Sequence, residues 1–227
     1  MDRLQRARRL GLRAVEVDVA WSEARRRTVV THDAKKLTGA EPTLEEYFFR
    51  PLVPELRRMP RGQPSLLLMM DFKSDHRGPV KEVHGLLRRH RELLTTSRRG
   101  EGIRWGPLTV ILGENLAAIA MFEKLTPAGH AYLAMGRREP PERKFQQDIA
   151  GYFPEPATAF YRLFNFDWKH VEVESNPKAG EFTPAERARL QALVKMAREK
   201  GYWVRAWTLN ATATTWGAGR NFGSREA

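Results

Sequence analysis

The chain has 227 residues, 41% of them hydrophobic, a formal net charge of +12 and no cysteine. That is enough apolar material for a full core and too much for a disordered chain, and it excludes disulfides, zinc–thiolate sites and thiol catalysis. No apolar run reaches the length of a membrane span, the segment from Met1 to Arg6 has no apolar targeting core, and the arginine doublets that carry the charge are scattered, as a GC-rich coding sequence would leave them, without any nucleic-acid-binding motif.

Asp2 to Leu12 reads as the back half of a helix, with Gly11 as its C-terminal cap. Ala14-Val15-Glu16-Val17-Asp18-Val19 then alternates strictly, the signature of a strand with period two. Its valines point one way, and Glu16 and Asp18 point the other. Two parallel carboxylates repel each other unless a cation lies between them, and carboxylate oxygens suit a hard cation such as Mg²⁺ or Ca²⁺. The competing reading is an edge strand with a solvated acidic face.

Thr28 to Asp33 reads as a short strand with a polar tip that holds His32 and Asp33. Thr43-Leu44-Glu45-Glu46 is a capping box for a helix from Leu44 to Arg50, which Pro51 and Pro54 kink or restart. Ser65 to Lys73 is apolar on both faces until Asp71 and Lys73, the pattern of a buried parallel strand with working residues at its C-terminal end. An amphipathic helix over Val80–Leu94, a buried strand over Leu108–Leu112, a helix over Asn115–Leu125 and a weaker strand over Ala131–Met135 follow. Residues 140–153 read as irregular, and Arg162–Phe166 and His170–Glu174 compete for the next strand. A second capping box, Thr183-Pro184-Ala185-Glu186, opens a helix to Lys200 that Gly201 stops. Trp203–Thr208 is the last strand, and residues 211–227 form an irregular tail.

Alternating strands and helices without a repeat or linker predict a parallel α/β architecture in a single domain, residues 1–227. Parallel strands carry their sites at their C-terminal ends, where Asp18, Asp71 and Trp207 lie.

The ordered set Glu16-x-Asp18, His32-Asp33, Asp71-x-Lys73 and Trp207 resembles the phosphatidylinositol-phospholipase-C-like phosphodiesterase superfamily. That superfamily includes the glycerophosphodiester phosphodiesterases and the spider-venom sphingomyelinase D enzymes. With Thr43-Leu44-Glu45-Glu46-Tyr47 and Asp71-Phe72-Lys73-Ser74-Asp75, the chain is most similar to the altered inheritance of mitochondria branch, from Leu10 to about Asn210. The resemblance implies a TIM (β/α)8-type barrel, incomplete at about six of eight strands. It implies Mg²⁺ or Ca²⁺ on Glu16, Asp18 and Asp71, His32 as one of two catalytic histidines, and Lys73 and Trp207 as substrate contacts. The implied substrate is a glycerophosphodiester or lysophospholipid-like molecule.

In this superfamily the second histidine precedes the helix before Glu16, and this chain begins on that helix. The expectation is a chain cut short at both ends or a catalytically impaired copy. His76-Arg77-Gly78 spells the missing motif in the loop after Asp71 and reads as coincidence; His84 and His90 read as surface or packing residues, and His130 and His170 have no assigned role. A remnant that keeps the metal pocket, and an anion-binding module using the arginine surface, are the alternatives. Localisation and oligomeric state are open.

Overall fold

The computed structural model describes residues 11, 13–60, 62–74, 77–113, 115–138, 155–168, 171 and 183–207. The predicted first helix, the irregular stretch 140–153, His76, His170 and the tail 211–227 lie outside the described residues. The fold is α/β with mostly parallel strands, and the residues gather into two compact units, Met1–Gly136 and Arg137–Ala227.

In the first unit the predicted acidic strand is β1, Ala14–Ser22, and the strand ending in Asp71 is β3, Leu66–Phe72. They pair in parallel, with Asp18 opposite Asp71. On the far side of β3 lies β6, Leu108–Gly113, also parallel, with Gly113 opposite Asp71. Beyond it comes β7, Met135–Arg138, joined through Met135 and Gly136. The expected strand over Ala131–Met135 is therefore shifted towards the C-terminus, because Tyr132 is engaged instead in a bridge to Ser97.

A second correction concerns the strand before His32. It is shorter, β2, Arg27–Val30, and runs antiparallel to β1 as a hairpin on its outer side. The connection of residues 23–26 is too short for the crossover that a parallel neighbour needs. Arg26 takes a positive φ of 49° to make the turn. The sequence reading also missed a small hairpin, β4 (Thr96–Arg98) and β5 (Gly102–Arg104).

Both capping boxes form. The Thr43 N–H donates to Glu46 Oε2 at 2.9 Å and the Glu46 N–H to Thr43 Oγ1 at 3.2 Å; Thr183 and Glu186 do the same at 2.8 and 3.2 Å. The first opens a π-helical turn, Glu45–Phe49, that leads into α1, Arg50–Leu56. The Arg50 N–H reaches back to Glu45 O, and Pro51 and Pro54 bring no N–H of their own to restore the α pattern. The helix α2, Arg77–Arg89, packs on β1 and β2, and α3, Leu116–Lys124, packs on β6 and α2. Val17, Val19, Met70, Phe72 and Leu112 are all buried on the sheet face opposite the carboxylates. Each such side chain contributes about 1.5–3 kcal/mol by leaving water. This apolar face fixes the register, since a slip of one residue would turn Asp18 and Asp71 into the core.

In the second unit, β8 (Tyr161–Asp167) and β9 (Trp203–Trp207) are parallel and are connected through α4, Pro184–Glu199. The choice between Arg162–Phe166 and His170–Glu174 thus falls on the first. Phe164, Phe166, Trp168, Leu193, Ala197 and Tyr202 form its core. Among the described residues no helix is long and apolar enough to cross a membrane.

Candidate metal centre

Glu16, Asp18 and Asp71 each offer a carboxylate oxygen, and the three oxygens lie within 4.8 Å of one another. The alternation of β1 sets Glu16 and Asp18 on one face, and the β1–β3 register brings Asp71 beside Asp18. Exposure is graded across the cluster: Glu16 is exposed, Asp18 is intermediate and Asp71 is only 2% exposed.

Two further predicted residues meet the same cluster. Lys73 continues β3 beyond its last strand residue, where its N–H donates to Val19 O at 2.8 Å. Its ammonium stands 3.0 Å from Asp18 Oδ1, with 13% of the lysine side chain exposed. His32 follows β2, whose alignment is carried one residue further by the Thr31 N–H donating to Asp18 O at 3.0 Å. The imidazole Nδ1 lies 2.8 Å from Asp18 Oδ2, and the ring is 86% exposed. Asp18 thus binds Lys73 with one oxygen and His32 with the other. Because an ionised carboxylate only accepts, Nδ1 is the ring nitrogen that donates to it.

The donor set has the chemistry of the cation the resemblance implies. All three donors are hard oxygens, the ligand type of Mg²⁺ and Ca²⁺ rather than of soft metals. Two oxygens on one ion can stand at most about twice the metal–oxygen distance apart, roughly 5 Å for Ca²⁺ and 4 Å for Mg²⁺. The observed spacing, 4.8 Å or less, lies inside the Ca²⁺ limit, whereas Mg²⁺ would need the oxygens drawn closer. The charge fits as well: three carboxylates offset by the Lys73 ammonium leave the complement of one divalent cation. In a chain of net charge +12, this acidic cluster stands against the overall balance.

The remaining predicted residues lie elsewhere. Asp33 serves its own turn, accepting the Lys35 N–H at 2.9 Å and pairing with Lys36 at 3.3 Å. His84 packs edge-on against Phe122 at 5.2 Å and His90 stacks on Phe49 at 5.4 Å, and burial lowers the pKa of both. Of the two roles expected of them, surface or packing, the ring contacts support packing. His130 lies in a turn, with Nδ1 3.4 Å from Ala128 O. Trp207 ends β9, and its side chain lies outside the described residues.

One residue of the centre was missed. Gly113, the register partner of Asp71, has no titratable group to draw attention. The available signal was a glycine ending a mostly apolar buried strand, where it suggests a close approach.

Comparison of the chain with protein-family models, with curated proteins and with solved structures finds no match in any of the three.

Proposed function

We propose that the chain is a metal-dependent phosphodiesterase on a barrel of the (β/α)8 kind, acting on a glycerophosphodiester or lysophospholipid-like substrate. Glu16, Asp18 and Asp71 would hold one Mg²⁺ or Ca²⁺. The observation that carries the reading is the convergence, on one face of two neighbouring parallel strands, of three carboxylates with a largely buried ammonium and an exposed imidazole. When bound, a divalent cation supplies charge neutralisation for an anionic diester and for its leaving oxygen. Lys73 adds a fixed positive charge where negative charge grows on the phosphoryl oxygens. His32, oriented through Nδ1 by Asp18, presents Nε2 to take a proton from the attacking oxygen. Asp18 orients Lys73 and His32 together and is the pivot of the proposed chemistry.

One observation favours a second reading, a cation-binding but catalytically impaired copy. Hydrolysis of a diester uses two proton carriers, one for the attacking and one for the leaving oxygen. Of the described histidines, His32 alone is hydrogen-bonded to the triad.

Calorimetric titration with Mg²⁺ and Ca²⁺, paired with hydrolysis of glycerophosphocholine and a lysophospholipid, tests both readings. Saturable binding that Asp71→Asn abolishes is expected under either, and turnover distinguishes them. A wild-type chain that binds neither cation would overturn both.

A further inference from the structure

We infer that Gly113 is a positioning residue of this centre: the volume left by its missing side chain is where the Asp71 carboxylate sits. This rests on the cation-binding reading and extends it to a residue that no charge pattern marks.

Asp71 has Asp18 as its register partner on one side and Gly113 on the other. Register partners on adjacent strands share a face and stand about 4.8 Å apart, so position 113 borders the centre directly. A Cβ added there would lie 1.9 Å from Asp71 Oδ1, 3.2 Å from Asp71 Cγ and 3.0 Å from Met69 Cε. The first distance is far inside van der Waals contact, so the carboxylate and a side chain at position 113 cannot coexist as they stand.

The glycine is not there for backbone freedom, because Gly113 is not among the glycines with positive φ. Alanine could adopt its backbone conformation. Nor is the obstacle the main chain. At Gly106, by contrast, an added Cβ would meet Leu94 C at 2.4 Å, Leu94 O at 2.5 Å and Leu93 O at 2.6 Å, so only the backbone could give way. At Gly113 the blocking atom is the end of a side chain, which can rotate. An alanine at 113 is therefore accommodated by turning the Asp71 carboxylate out of the position in which it shares an ion with Asp18 and Glu16. Asp71 is 2% exposed, so the displaced carboxylate has no water to turn into, and the metal-free protein loses stability as well.

Four proteins test the inference: wild type, Gly113→Ala, Asp71→Ala and the double variant, each measured for Ca²⁺ and Mg²⁺ affinity by calorimetry and for metal-free Tm. Gly113→Ala is expected to weaken cation binding by roughly 10- to 100-fold, the usual effect of disturbing the support of a metal ligand. It is also expected to lower the metal-free Tm in the wild-type background and to leave it unchanged in the Asp71→Ala background, where the colliding carboxylate is gone. Wild-type cation affinity in Gly113→Ala, or an equal loss of Tm in both backgrounds, overturns the inference. If the wild type binds no cation, the proposed function fails. The Tm comparison then decides by itself whether Gly113 makes room for Asp71, and it does so even if Gly113→Ala alone does not fold.

Discussion

Asp18→Asn keeps the shape of the side chain and removes one negative charge from the centre of the cluster. Without a cation, two effects oppose each other. The Lys73 ammonium loses an anionic partner 3.0 Å away, an attraction of about 5–6 kcal/mol at an effective dielectric constant near 20. Asp71 and Glu16 each lose a like charge no more than 4.8 Å away. For buried Asp71 that relieves about 3–4 kcal/mol of repulsion, and for exposed Glu16, facing water, about 1 kcal/mol. The terms nearly cancel, so metal-free Asp18→Asn is expected within about 1 kcal/mol of the wild type, or about 2–4 °C in Tm for a chain of this size. With a cation at 100 times its Kd, the wild type gains about 2.7 kcal/mol, a rise of about 5–11 °C. The variant has lost a ligand and gains little. Differential scanning calorimetry in EDTA, then in millimolar Ca²⁺ and Mg²⁺, reads both numbers. An Asp18→Asn protein that kept half or more of the wild-type rise would refute the reasoning, as would a wild type indifferent to both ions.

Lys73→Met leaves three carboxylates without their ammonium, so metal-free Tm should fall while the cation-induced rise persists or grows; a smaller rise would show that Lys73 supports the ion rather than the substrate. His32→Gln removes a ring that is 86% exposed, so stability should stay within about 0.5 kcal/mol. Any hydrolysis the wild type shows should fall by roughly 10²- to 10⁴-fold in that variant, and undiminished turnover would remove His32 from the mechanism. The Glu41 carboxyl is held down from 4.5 to about 2, first by the Thr38 N–H and then by the other donors around it. Its folded pKa is depressed, so its stabilisation is fully present above pH 4.5 and is lost as pH falls from there through about 2. Glu41→Gln should flatten that part of the Tm–pH curve, and an unchanged acid limb would count against those hydrogen bonds.

The centre was legible where local rules act on strong patterns. The alternation of β1 put Glu16 and Asp18 on one face, and the two apolar faces of β3 ended at Asp71 and Lys73. Both capping boxes followed from two residue types at a fixed spacing. Strand direction was not legible in Arg27–Val30, because an alternating segment looks the same parallel or antiparallel, and only the length of the turn before it decides. The β4–β5 hairpin was hidden because its strands are three residues each, too short to show an alternation. Gly113 was hidden for a deeper reason. Its importance lies in a pairing with Asp71 across a crossover, which no window along the chain contains.

The hairpin of β1 and β2 has a kinetic consequence. It brings Glu16, Asp18 and His32 together through contacts close in sequence, which form early and at small entropic cost. Asp71 and Lys73 join only when β3 docks on β1 from beyond the whole β2–α1 connection. Two of the three proposed ligands are therefore assembled before the third arrives, and a cation would have nothing complete to grip until that late docking is done. Its influence would fall on the escape from the native state: it would slow unraveling and leave the speed of the initial collapse where the bare chain sets it.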